Sequence, residues 1–153
     1  MRASNIMDMK TLVQPYVDDE PILAVGQLRQ GKAPTVLGLL SGAALGEVLR
    51  PRRSKLLPRH FVLAVTPTRV LAFKAWGGGE DGDYEVHIRP GVRAEFARAH
   101  VTLGDLADGA RSKGGTLRIG PEAFPVCRPN LNGDPETDAL VALLGGLQPV
   151  VNV

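Results

Sequence analysis

The chain has little of what most catalytic and metal sites are made from. One cysteine, Cys127, in 153 residues excludes an intramolecular disulfide and any cysteine-based zinc site. A lone thiol fits a reducing cytoplasm. Aromatic residues are 5% of the chain, too few for a base-stacking platform. Ser41, Ser54 and Ser112 sit in no G-x-S-x-G elbow, and Gly77-Gly78-Gly79 lacks the Lys-Ser/Thr of a phosphate loop. The N-terminal region carries Asp8, Asp18 and Asp19 and no apolar signal core. The uncharged run Ala33–Gly46 is fourteen residues, ended by Glu47, short of the roughly 20 that cross a bilayer. A net charge of +2 does not by itself argue for nucleic acid, and no internal repeat is visible.

What is present is 44% hydrophobic residues and 22% charged ones, the balance of one globular domain. Thirteen arginines against five lysines, with many Ala, Gly, Val and Pro, point to a bacterial source with a GC-rich genome. Residues 4–14 predict a short helix capped by Ser4 or Asn5, with Ile6, Met9 and Val13 at helical spacing. Asp18-Asp19-Glu20 reads as a solvated link. Ile22–Arg29 reads as a strand.

Residues 34–49 predict a helix: Pro34 suits its first turn, and Leu37, Leu40, Ala44 and Val48 form an apolar stripe. Strands follow at 60–66 and 69–76, then a flexible loop at Gly77-Gly78-Gly79 and EDGD. Further strands are expected at 84–89, somewhere in 92–103, at 115–119 and at 123–128, with 92–100 open to a helical reading. Leu103–Lys113 reads as a loop. Asp134 as N-cap, Pro135 at N1, acidic Glu136 and Asp138 in the first turn, apolar Leu140, Val141, Leu143 and Leu144, and Gly145-Gly146 mark a C-terminal helix.

The segment Phe61–Trp76, FVLAVTPTRVLAFKAW, is a hairpin by pattern. Pro67 presets the turn, Thr66 can bond back onto its backbone, and Arg69 can pair at the surface. This apolar strand, Thr-x-x-Arg turn and apolar strand resemble bacterial pleckstrin-homology-like (PH-like, GRAM-like) domains. The likeness extends to small actinobacterial proteins with a VTPTR hairpin after a Gly/Ala-rich insertion. The close match covers about thirteen residues, and the order of elements agrees over 20–146. The resemblance implies an α+β fold: a bent antiparallel sheet or open barrel closed by a C-terminal helix, with an inserted helix near 34–49. It also implies a non-enzymatic binding or scaffolding module, and it carries no catalytic residues, cofactor or metal. The expected layout is an N-terminal helical segment (1–19), one domain (20–148) and a short tail (149–153).

Candidate surfaces follow from spacing. Gly38, Gly42 and Gly46 recur every four residues, the small-xxx-small pattern that lets backbones approach, and predict packing on the core or a homo-oligomer contact. Arg50, Arg52, Arg53, Lys55 and Arg59 follow with no acid among them, an arrangement that also suits an anionic membrane surface. Nucleic acid is disfavoured there because no aromatic is interleaved.

His60, His87 and His100 would need to converge to bind metal, with Asp83 or Glu85 as further ligands, and strand or surface roles are expected for them. Asp81-x-Asp83-x-Glu85 lacks a full calcium-loop pattern. Cys127 is expected to be a small core residue. Trp76 is either a partner anchor or a strand-end cover of the core. The chain is expected to be cytoplasmic, with membrane association as the alternative, and a small enzyme is the remaining reading.

Overall fold

The computed structural model describes residues 8–18, 20–31, 54–78, 85–129 and 134–147. The expected helix at 34–49 lies outside them, as do Ser4 and Asn5. Three apolar runs form the middle of the sheet: β1 (Ala24–Gln30), β2 (His60–Val65) and β3 (Arg69–Gly77) pair antiparallel. Gly26 stands opposite Leu63, and Leu63 opposite Ala72. The Thr66 hydroxyl accepts the Arg69 N–H (3.0 Å), and the Thr66 N–H donates to the Arg69 carbonyl (2.9 Å). That clamp is why Thr66, Pro67, Thr68 and Arg69 reverse the chain here.

The outer edge of β3 is shared. β5 (Ala94–Ala97) pairs with Arg69–Ala72, and β4 (Val86–Ile88) with Ala75–Gly77. β6 (Val101–Gly104), β7 (Gly114–Ile119) and β8 (Glu122–Cys127) form a second meander. β8 returns to β1 at two positions, Arg29 opposite Cys127 and Gln30 opposite Val126.

The strand order is β4-β3-β2-β1-β8-β7-β6, with β5 beside β3. β5 and β6 are therefore on opposite edges of the sheet, yet only the 3₁₀ turn Arg98–His100 separates them in sequence. Three residues span at most about 10 Å, so the sheet must bend until its edges meet at this corner. The Arg98 N–H donates to the Thr68 carbonyl and the Gly120 N–H to the His100 carbonyl, both 2.9 Å. The sheet is bent and open, of the expected α+β class.

Inside the bend, Leu28, Phe61, Leu63, Val65, Val70, Leu117 and Val126 form the main core with the C-terminal helix α2 (Pro135–Leu144). Asp134 caps α2 by accepting the Thr137 N–H (2.7 Å), and Gly146 at φ +64° follows its end. Leu140, Val141 and Leu144 are buried, with Leu143 partly so. A Cβ at Gly26 would lie 2.9 Å from Thr137 Cα, so glycine is what admits the helix. Where β8 leaves β1 unpaired, the Thr137 hydroxyl accepts the Gln27 N–H (3.2 Å).

The other side of β1–β3 is also covered. Met9, Val13 and Val17, from α1 (Met9–Val13) and the turn after it, pack on Val25, Val62, Ala64, Leu71 and Phe73. α1 is capped by Asp8, which accepts the Thr11 N–H (2.8 Å). Hydrogen bonds from the Thr11 side chain and backbone hold the Asp8 carboxyl below its ordinary value. From α2, Glu136 accepts the Met9 and Lys10 N–H groups (3.1 and 3.2 Å), so the two terminal helices are tied together.

Several expectations change. The stretch 92–103 is two strands around a corner, because the chain must cross from one sheet edge to the other there. Glu20 is no solvated link: it accepts from the Thr68 hydroxyl (2.8 Å) and Arg69 Nε (2.9 Å). Gly77 and Gly78 are buried at φ +79°, with the Gly78 N–H donating to the Glu85 carbonyl. They are the root of a hairpin rather than a flexible loop.

Candidate functional site

One end of the bent sheet gathers the exit of β1, the entries of β2 and β4, the exit of β3 and the β7–β8 turn. Here Gln30, 3% exposed, holds the segment leading into β2. Its Nε2 donates to the carbonyls of Ser54 (3.0 Å) and Leu57 (2.9 Å), while its Oε1 accepts the Ser54 N–H (2.7 Å). The Ser54 hydroxyl reaches Glu122 (3.2 Å), and Leu57 is buried in the core. Lys55 and Arg59 project to solvent from this fastened segment. Gly38, Gly42, Gly46, Arg50, Arg52 and Arg53 lie outside the described residues.

The second feature is the β3–β4 face. Trp76 stands opposite His87, and their rings stack with centroids 5.5 Å apart at 15°. Trp76 remains 48% exposed, so it does not serve as a cover of the core. Two residues along, the Arg89 N–H donates to the Lys74 carbonyl (2.8 Å). This places the exposed Lys74 and Arg89 opposite each other on the Trp76 face. Like charges directly opposite on a sheet are unfavourable, and so is an exposed indole. Their combination is not what stability alone would select.

The other candidates do not assemble into a site. Phe61 opposite Lys74 puts His60 in the row of Ala75, whereas His87 is in the row of Trp76. Adjacent strand residues face opposite sides, so His60 and His87 point away from each other. His100 is at the β5–β6 corner. Among the described residues, no group of three or more His, Cys, Asp or Glu could hold a metal ion. Asp81 and Asp83 lie outside the described residues. Cys127 is fully buried, as expected of a core residue.

Two charged clusters come into view here: the surface pairing expected of Arg69, whose partners the sequence did not name, and a buried one at Arg128. At the opposite end of the sheet, Arg69 pairs with Glu20 and Glu95, both at 2.9 Å, and lies 4.0 Å from Asp18. The Thr68 hydroxyl, with the Arg69 guanidinium, holds the Glu20 carboxyl below its ordinary value, and Glu20 in turn raises Arg69. Arg128, 3% exposed, donates to the Ser112 carbonyl (2.9 Å) and pairs with Asp138 (2.7 Å), tying α2 to the β6–β7 connection. A buried charge of this kind is tolerable only when so paired. Both clusters join segments distant in sequence, and no local pattern announces them.

Comparison of the chain with protein-family models and with curated proteins gave no match. No helix among the described residues is long and apolar enough to cross a membrane.

Proposed function

We propose that this chain is a cytoplasmic, bacterial PH-like module with a non-enzymatic binding or scaffolding role. The observation that carries this reading is the division of its polar groups. Gln27, Gln30, Ser54, Thr66, Ser112, Arg128 and Thr137 are buried, and each has a partner within the scaffold itself. An enzyme site needs convergent polar groups held for a substrate. Among the exposed side chains, Trp76 and the cations around it at one end of the sheet form the group that suits an external partner. A meander of antiparallel strands bent onto itself and packed by a C-terminal helix supports the PH-like assignment.

Self-association through Gly38, Gly42 and Gly46 belongs to this proposal on the strength of their spacing. Gly42→Leu should lower the mass seen by light scattering at unchanged circular dichroism; an unchanged mass would remove that part.

The exposure of Lys55 and Arg59 on a fastened segment favours one second reading, contact with an anionic membrane surface through residues 34–59. It predicts co-sedimentation with phosphatidylglycerol vesicles, lost at high salt and absent with neutral lipid. Equal partitioning to both lipids would count against it.

A further inference from the structure

We propose that the β3–β4 face is a docking site for an extended acidic polypeptide segment, laid alongside β4 as an additional strand. The inference rests on the binding-module reading and names its partner. Three observations carry it.

The first is position. Among the described residues β4 ends the strand order, so it is an edge. Bonds from Arg89 N–H to Lys74 and from Gly78 N–H to Glu85 fix which backbone groups face β3. They set 74/89 and 78/85 as hydrogen-bonded pairs, with 76/87 between them in the same class. The backbone groups of Val86 and Ile88 therefore point away from β3, toward the sheet edge. That is the geometry by which a peptide adds to a sheet.

The second is charge. Lys74 and Arg89 form a like-charged cross-strand pair, and an acidic side chain beside Arg89 in the same row would offset that repulsion. Arginine beside lysine also offers a planar fork for a carboxylate.

The third is period. Along β4, His87 and Arg89 are two residues apart on one face, as are Lys74 and Trp76 along β3. An extended peptide repeats its side chains at the same two-residue interval of about 6.8 Å. On an added strand, one acidic side chain would thus fall in the row of Arg89 and Lys74, and the next on that face, two residues away, in the row of His87 and Trp76. A membrane would make no use of this register. The indole lies stacked on His87, the β4 residue that an added strand would flank.

Trp76 is the only tryptophan, so its emission reports this face alone. The test titrates the full chain with a peptide of alternating glutamate and serine, and with an isomer of equal composition whose glutamates are contiguous. Phosphatidylglycerol vesicles at equal negative charge form the third arm. The expected result is a saturable change in Trp76 emission, tighter for the alternating peptide. Lys74→Glu with Arg89→Glu should weaken it by at least about tenfold and confer binding of an alternating lysine–serine peptide. Lys74→Gln with Arg89→Gln serves should the reversed pair fail to fold, with weakening of the same direction.

The proposal is overturned by equal affinity for the two isomeric peptides, by binding unchanged in the variants, or by a Trp76 response to vesicles alone. A response to vesicles, or self-association without peptide binding, would leave the binding-module reading standing. Absence of all three would remove both.

Discussion

The two halves of the sheet are built differently. In β1–β3 both faces are covered, one by α2 and the main core and the other by the N-terminal segment. β2 is buried from Phe61 to Val65 without interruption. In β6 and β7 only the inner face is covered, and burial alternates: Val101 and Leu103 are in, Thr102 is out; Leu117 and Ile119 are in, Arg118 is out. A strand buried on both sides reads as a continuous apolar run, and one with a wet face reads as alternation. The difference teaches where tolerance and function should lie. The first half has no spare surface except where β3 and β4 run past the cover, and that is where Trp76, Lys74 and Arg89 emerge.

The largest expected effect tests the double cover directly. Phe73 faces the N-terminal segment on the outer side of β3, so Phe73→Ala should cost about 3–5 kcal/mol. Thr102→Ala, on the outer side of β6, should cost under about 1 kcal/mol. Urea midpoints at constant m-value measure both, and equal shifts would break the comparison.

Next is the contact that lets α2 into the bend. Gly26→Val should destabilise by about 1–3 kcal/mol by overpacking against Leu140 and the Thr137 backbone. A neutral result would mean that α2 sits further from β1 than the geometry has it.

The smallest effect concerns the acidic clasp on the hairpin. Glu20 has its carboxyl pKa lowered in the folded state. Its contribution is complete above the ordinary glutamate value and fades as the pH falls through the lowered one. Wild type should therefore lose its margin over Glu20→Gln on acidification through that window, read as converging melting temperatures. A constant margin would show that the clasp carries no pH-linked stability.

Much of the fold was legible in the sequence, and the reasons are local. The Thr66-Pro67-Thr68-Arg69 turn forms by bonds within four residues. The C-terminal helix announced itself through Asp134, Pro135 and Gly145-Gly146, groups that satisfy or end a helix within one turn. The strand pattern of β7 was visible because one face is wet.

Elsewhere the local signal was absent. Residues 92–103 carry no mark of a corner, since the turn at Arg98–His100 is imposed by where β5 and β6 must pair. Glu20 and Arg128 look like ordinary surface charges until the chain brings Arg69 and Asp138 to them. The candidate site was only partly legible: Trp76 drew notice as a partner anchor, but Lys74 and Arg89 did not. Their facing across two strands depends on the register of β4, set beyond the connection at 78–85.

By itself, then, the sequence determined the elements that complete their own hydrogen bonds: the hairpin turn, the capped C-terminal helix and the half-buried strands. It also determined the chemistry that is missing, one thiol and few aromatics. The tertiary structure decided the rest: the bend that joins β5 to β6, the double cover over β1–β3, and the face that sets Trp76 against His87 and Lys74 against Arg89. The physical reason is range. Capping and turn bonds act within a few residues, whereas burial on both sides and cross-strand pairing are properties of segments that meet only when the chain is folded.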